Sequence, residues 1–185
     1  METDSRWSTG VLEPADGFVA FLDERTVALA WVDESERDAN PVKQINFDRM
    51  SENLRILQAS TDEDGNPFEI VKIPLPDLQY EEFELPPSNL PAFREVDPSA
   101  KVGDTIRWVA TSSYLNYVIT NGVLLLPRFW EPGMSEPQRA KDQAVLEIFQ
   151  SYYPDRKIVQ INPLTLNHLG GGMHCLIQTP PSLAE

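Results

Sequence analysis

Residues 168–175, with the sequence His-Leu-Gly-Gly-Gly-Met-His-Cys, form the one stretch of this chain whose residue types could do covalent chemistry. The glycines Gly170, Gly171 and Gly172 free the backbone to take unusual dihedral angles and let a ligand come close. Cys175 follows three residues after Gly172, and a thiol at a loop–strand junction with imidazoles nearby in sequence could be a nucleophile. The alternatives are a buried cysteine that packs as a small hydrophobe and a plain flexible glycine hinge, and composition alone favours both.

The two histidines of this stretch are weak candidates for a general base. Cys175 is expected to open a short apolar strand, so the side chain of the adjacent His174 would point to the opposite face. His168 is seven residues away and is interpreted as a loop histidine without a role. The glycine run is not a phosphate-binding loop, because it lacks the Gly-Lys-Ser/Thr ending and a following helix.

The net charge of the chain indicates which classes of binding partner to expect. The 185 residues include 15 Lys and Arg against 29 Asp and Glu, a formal net charge of −14. This charge argues against nucleic acid and against an anionic membrane surface, and it suits a cationic small substrate, although acidity is also a common solubility feature.

The small numbers of cysteine and histidine indicate which cellular compartment and which cofactors to expect. One cysteine excludes an intrachain disulfide and favours a reducing compartment, hence a cytoplasmic protein. The polar N-terminus is no secretory signal, and no apolar run approaches the ~18 residues of a membrane span. Two histidines and one cysteine are too few for a standard zinc site, so neither a metal nor an organic cofactor is expected.

The order of predicted elements repeats along the chain. An apolar strand over 27–32, a helix over 46–59 capped by Asn46, and a strand over 68–73 make one strand–helix–strand unit. After the Asn121-Gly122 turn, a strand over 123–126, a helix opened by Ser135 and a strand over 157–161 make a second. Two such units predict an α/β repeat architecture, unless the likeness is chance.

The intervening chain has weaker signals. Residues 80–100, rich in proline and acid, are predicted to form a long surface loop, and 105–110 and 114–120 a pair of strands around residues 111–113. No clean boundary is visible, so the prediction is a single domain over 1–185. It comprises a divergent N-terminus (1–17), repeat units 18–79 and 101–185, and the loop 80–100.

The segment from Gly170 to Cys175, with Gln178 and Pro180 after it, resembles the C-terminal active-site segment of agmatine deiminases, members of the guanidine-modifying pentein superfamily. The resemblance runs in family order through nearly the whole chain from about Phe18. Its other matching stretches are Leu29-Ala30-Trp31, residues 51–57, Ile73-Pro74-Leu75-Pro76, residues 113–117 and Asn121-Gly122-Val123. The resemblance implies a five-bladed α/β propeller of ββαβ repeats, of which this chain would hold two to three blades.

The same resemblance implies a reaction. Agmatine and water would give N-carbamoylputrescine and ammonia through a covalent intermediate on a cysteine thiolate, a step towards putrescine and the polyamines. Cys175 falls on the nucleophile. A histidine would move protons, carboxylates would hold the guanidinium by forked hydrogen bonds, and no cofactor is needed.

The chain departs from the family where the proton carrier should stand. Counting back from Trp31 without gaps places the family histidine at Pro14 and a carboxylate at Asp16; an alternative register places them at Phe18 and Ala20. The histidine is absent in both registers, and neither proline nor phenylalanine transfers protons. Asp16 is interpreted either as a guanidinium-binding carboxylate or as an ordinary turn residue.

The N-terminal half of the family, with its Trp-x-Arg-Asp motif, also has no counterpart. Three hypotheses follow from these departures. The chain is a shortened deiminase with little turnover, a non-catalytic remnant or interaction module, or one partner of a split enzyme. In the last case, another polypeptide or a second copy of the chain would associate through the open propeller edge.

Overall fold

A computed structural model describes residues 17–169 and 171–177. Within this part, eight strands lie in three small sheets, four α-helices cover them, and 3₁₀ helices span Glu34–Ala39 and His174–Leu176. The strands are β1 (Val19–Phe21), β2 (Thr26–Trp31), β3 (Glu69–Pro74), β4 (Tyr80–Glu84), β5 (Thr105–Val109), β6 (Val118–Thr120), β7 (Val123–Pro127) and β8 (Lys157–Ile161). The helices are α1 (Pro41–Gln58), α2 (Leu90–Val96), α3 (Glu136–Tyr152) and α4 (Leu164–His168).

Two units have the same topology. In the first, β1 is antiparallel to β2, and α1 leads from β2 to the parallel strand β3. In the second, β6, β7, α3 and β8 repeat these pairings. The predicted α/β repeat is therefore confirmed, and each unit is a ββαβ module. The hairpin between β6 and β7 turns at Asn121-Gly122, where Gly122 takes a positive φ of 72° that favours glycine.

The central strand of each unit is apolar because it is buried. Residues Val27 to Ala30 of β2 are almost fully enclosed, as are Leu124 and Leu126 of β7. A strand with a parallel neighbour and a covering helix has no polar face, so its sequence is a continuous apolar run. Val145 and Phe149 of α3 complete a core that the two units share.

The start of α1 differs from its prediction. The helix begins at Pro41, not near Asn46, because the Asn40 side chain accepts a hydrogen bond from the Lys43 amide and Pro41 sits in the first turn. The predicted stripe of Met50, Leu54 and Leu57 does face the core. Ser135 caps α3 as predicted, through the Gln138 amide.

The prediction of a surface loop over 80–100 is wrong. The segment contains β4 and α2, and β4 pairs antiparallel with β5 along its whole length. Leu85, Ala100 and Ile106 form a small core of their own against α2. Apolar residues spaced among the acids build this core, and Pro91 occupies the first turn of α2, where proline is tolerated.

The prediction that 105–110 pairs with 114–120 is also wrong. β5 pairs with β4, whereas β6 pairs with β7 in a different sheet. Residues 110–117 consequently run irregularly between the two sheets. This crossing segment, defined as residues 110–117, carries side chains of the candidate site.

An ion-pair cluster joins the two units. The ammonium of Lys141 on α3 lies 3.1 Å from Glu36 and 2.9 Å from Asp77, which follows β3. Burial raises the pKa of Asp77, but the hydrogen bond and the charge of Lys141 outweigh it and hold the pKa below its ordinary value. Burial likewise raises the pKa of Glu36, but its bonds to Lys43 and Lys141 outweigh burial and hold that pKa below its ordinary value.

We expect Lys141→Met to lower the free energy of unfolding at neutral pH by about 1 kcal/mol, because two carboxylates lose their shared cation. A carboxylate with a depressed pKa stabilises the fold above its unfolded pKa of about 4 and loses that contribution as pH falls through its folded pKa. The difference between wild type and variant should therefore shrink in acid. Urea unfolding at pH 7 and pH 3 measures it, with the exposed Lys101→Met as control. An undiminished difference at pH 3 would contradict this electrostatic assignment.

Candidate active site

Cys175 lies in the 3₁₀ turn His174–Leu176 directly after the glycine run, and it is exposed. The predicted strand here is wrong: the amides of Leu176 and Ile177 bond back to the carbonyls of Met173 and His174. Because this backbone pairs with itself and not with a neighbouring strand, it coils. The expectation that His174 points away across a strand therefore has no basis.

Asn116 of the crossing segment holds the turn that carries the thiol. Its Oδ1 accepts a hydrogen bond from the His174 amide at 2.8 Å, and its Nδ2 lies 3.6 Å from the Sγ of Cys175. The amide N–H of His174 can only donate, so it fixes which end of the Asn116 side chain is oxygen. The NH₂ group is thereby directed at sulfur as a hydrogen-bond donor.

Sequence reasoning missed Asn116 as a site residue. It belongs to the stretch 113–117 that carries the family resemblance, but 59 residues separate it from Cys175. No local pattern connects residues so far apart. The signal that was available is a polar residue among aromatic ones in a matching motif.

The glycine run is packed against Asn116. A Cβ placed on Gly172 would overlap the Asn116 side-chain amide, whereas one on Gly171 would meet only the Cβ of Cys175 at 3.9 Å. The buried Asn167 of α4 also donates to the Gly171 carbonyl at 2.9 Å. At Gly172, the contact favours close approach over a plain hinge as the reason for glycine. Gly170 lies outside the described residues.

The start of the described chain reaches the same cleft. The buried Ser113 hydroxyl donates to the Gly17 carbonyl at 2.6 Å, and Gly17 lines the cleft beside Cys175. Asp16, which precedes Gly17 directly, lies outside the described residues, and so does Pro14. The assignment of Asp16 as a guanidinium-binding carboxylate stays a prediction. Phe18 of the alternative register lines a different cavity, beside α1.

The cleft beside Cys175 is small, with a volume of about 10 Å³. Among the described residues its lining holds no carboxylate and no imidazole; these residues are Gly17, Thr111, Ser113, Asn116, Gly171, Gly172 and Cys175. The arrangement can supply a nucleophile and an amide donor. Groups that hold a guanidinium or carry protons must come from elsewhere.

Neither histidine lines this cleft. His174 lines a separate apolar cavity together with Leu115, Tyr117 and Ile119. The Nδ1 of His168 lies 3.0 Å from a carboxylate oxygen of Glu81, which joins α4 to β4. Within residues 17–169 and 171–177, no group of three or more His, Cys, Asp or Glu side chains is placed to hold a metal ion. None of the helices described is long and apolar enough to cross a bilayer.

The two ββαβ units and the cysteine that follows the glycine run agree with the α/β repeat and the cysteine that the family resemblance implies. The sequence profile of the Porphyromonas-type peptidyl-arginine deiminase family matches residues 13–181. The chain belongs to this family.

Individual relatives support the predicted resemblance to agmatine deiminases. The agmatine deiminase of Pseudomonas fluorescens strain SBW25 is 28% identical over 167 residues, which are 90% of this chain and 40% of that protein. A second, from Pseudomonas syringae pv. tomato, is 28% identical over 169 residues with the same coverage. The resemblance is confirmed, and the chain spans about two-fifths of the length of these relatives.

Solved structures share the fold. The agmatine deiminase of Enterococcus faecalis superposes with a TM-score of 0.57 at 21% identity, over 86% of this chain and 38% of its own. A Porphyromonas gingivalis protein assigned as an arginine deiminase gives a TM-score of 0.62 at 21% identity, over 90% and 38%. At such identities the likeness establishes the fold alone.

We expect Gly172→Ala to lower the free energy of unfolding by about 1–3 kcal/mol, because the added methyl group overlaps the Asn116 amide. Gly171→Ala is the matched control, since the same methyl group there makes an ordinary contact. Thermal unfolding of both variants measures the difference. Equal stability of the two would contradict the packing described here.

Proposed function

We propose that Cys175 is the nucleophile of a guanidine hydrolysis, with agmatine as the substrate. The observation that carries the proposal is the Asn116 amide, oriented by the His174 backbone and directed at Sγ in a glycine-lined cleft. A hydrogen bond donated to sulfur favours the thiolate, which is the reactive form. The family membership supports the choice of a guanidine as the group attacked.

The proposed chemistry has two steps. The thiol gives up its proton and the sulfur adds to the guanidinium carbon. That proton reaches the leaving nitrogen through solvent, and the carbon–nitrogen bond breaks, which releases ammonia and leaves a thiouronium cation on Cys175. Water then adds to that carbon and the carbon–sulfur bond breaks. Of the two protons that the water gives up, one returns to sulfur and the other converts ammonia into ammonium. These steps release N-carbamoylputrescine and restore the thiol.

The substrate assignment rests on charge and on the relatives. Agmatine is a dication at neutral pH, and a chain of net charge −14 attracts it. We assign Asp16 as a carboxylate that holds the guanidinium, because its neighbour Gly17 lines the cleft. No imidazole among the described lining residues can carry protons, and loss of such help costs about 10²–10⁴-fold in rate. We therefore expect slow turnover by this chain alone.

The remaining part of the relatives' length bears on the fold of the assembly. We propose that the two ββαβ units are two blades of a five-bladed propeller in which β4, α2 and β5 are an addition. A segment equal to the remaining three-fifths of the relatives would complete the propeller and the carboxylates of the site. We place this assembly in the cytoplasm, because a catalytic thiol must stay reduced.

The full chain incubated with millimolar agmatine should release a ureido product slowly. Cys175→Ala should abolish this product, because alanine cannot form the covalent intermediate. Asn116→Ala should reduce it by about tenfold or more, since one aligned donor is lost. Colorimetric detection of the ureido group measures product release by the wild type and by both variants. A folded wild-type chain without product, or a Cys175→Ala variant that keeps it, would refute the proposal for this chain.

A second candidate function is a non-catalytic interaction module. The observation that favours it is the cleft lining, which holds neither a carboxylate nor an imidazole among the described residues. This candidate predicts slow alkylation of Cys175 at pH 6, at the rate of a free cysteine peptide. Alkylation at least tenfold faster than that peptide would argue against it, because such reactivity requires a stabilised thiolate.

A further inference from the structure

Asp142 is a buried carboxylate that the proposed reaction does not use. It lies on α3, is 4% exposed and accepts four hydrogen bonds. Two come from the backbone amides of Phe129 and Trp130, at 3.2 and 2.7 Å. The others come from the Tyr114 hydroxyl at 2.5 Å and from the Gln138 side chain at 2.9 Å. A buried carboxylate with so many donors is costly to alter, because each donor would lose its acceptor.

Tyr114 links this carboxylate to the crossing segment. Its hydroxyl donates to Asp142 and accepts a hydrogen bond from the side-chain NH₂ group of Gln138 at 2.8 Å. Burial, with the adjacent carboxylate, raises the pKa of Tyr114 well above its ordinary value, so the hydroxyl remains a donor. The ring packs edge-on against Phe129, with centroids 5.2 Å apart.

Beyond the hydrogen bond from the Ala110 amide to the Gln79 carbonyl at 2.9 Å, the crossing segment is held in place by side chains. Tyr114 anchors it to α3, two residues before Asn116. On the other side of Asn116, the Tyr117 hydroxyl donates to the Phe21 carbonyl at 3.1 Å. Asn116 therefore sits between two tyrosine anchors, and only the first of them depends on a charge.

We propose that Asp142 is a positioning residue for Cys175. Through the Tyr114 hydroxyl it fixes the crossing segment, which keeps the Asn116 amide directed at sulfur. The inference rests on the proposed role of the Cys175 thiolate, although it concerns the thiol environment and not turnover. A carboxylate suits this task because it accepts from all four donors at once, whereas an asparagine would direct its own N–H groups at some of them.

The test uses alkylation of the full chain by iodoacetamide over a range of pH. Cys175 is the only cysteine, so the incorporated label reports on one site. Asn116→Ala should move the midpoint of the rate–pH profile upward, because the thiol loses a hydrogen-bond donor. Tyr114→Phe and Asp142→Asn should move it in the same direction by a smaller amount.

A double-mutant cycle separates positioning from general weakening of the fold. Because Tyr114 acts through Asn116, Tyr114→Phe should produce no further shift in an Asn116→Ala background. Val145→Ala is the structural control: it opens the core beneath the same helix but leaves the polar contacts of Asp142 intact. It should lower the unfolding temperature without moving the midpoint. Tyr114→Phe retains the ring packing, so the test stands even if Asp142→Asn does not fold.

Three results would overturn the inference. The midpoint could stay at its wild-type value in Tyr114→Phe, which would make Asp142 a structural residue only. The midpoint could stay unchanged in Asn116→Ala, which would remove the link to sulfur. Tyr114→Phe could shift it equally with and without Asn116. If the midpoints shift as expected but the chain releases no ureido product, the positioning role of Asp142 stands. Only the proposed function is then refuted.

Discussion

The apolar core that the two ββαβ units share is the constraint on which the rest of the structure depends. β2 and β7 are buried in one cluster with α3, so the two units cannot move apart without exposing it to water. The chain that leads from β5 to β6 runs along the junction of the two units, where Ser113 bonds to Gly17 and Tyr114 bonds to Asp142. Residues 110–117 take that path, and their polar side chains are delivered to the cleft as a result.

The cleft assembles from three parts of the chain that are remote in sequence. Gly17 precedes the first strand, Ser113 and Asn116 lie in the crossing segment, and Cys175 follows the last α-helix. Each part is held by backbone hydrogen bonds to a side chain of another part. Among the described residues, this arrangement fixes a thiol and one side-chain donor beside it. The chain spans about two-fifths of the relatives' length.

Elements that depend on local chemistry could be predicted from the sequence. The strand predicted over 157–161 coincides with β8, and Ser135 caps α3 as expected, because apolar runs and caps act within a few residues. Its neighbours made Cys175 a candidate, but its assignment as the nucleophile came from the family resemblance and stays a prediction. Proline and acidic residues are typical of loops, but over residues 80–100 the apolar residues spaced among them build a small core, so the loop prediction fails. Pairing of β4 with β5 and the contact of Asn116 with Cys175 depend on distant partners, which periodicity does not encode.

The fit between Gly172 and Asn116 couples two positions that the sequence keeps 56 residues apart. Any larger residue at 172 occupies the space of the amide, and any change at 116 removes the reason for a glycine at 172. We therefore expect the residues at positions 116 and 172 to vary as a pair. Across the family, a glycine and an asparagine at these two positions should be inherited together or lost together. Their joint presence then marks the relatives in which the thiol keeps its donor, whatever has happened to the rest of the site.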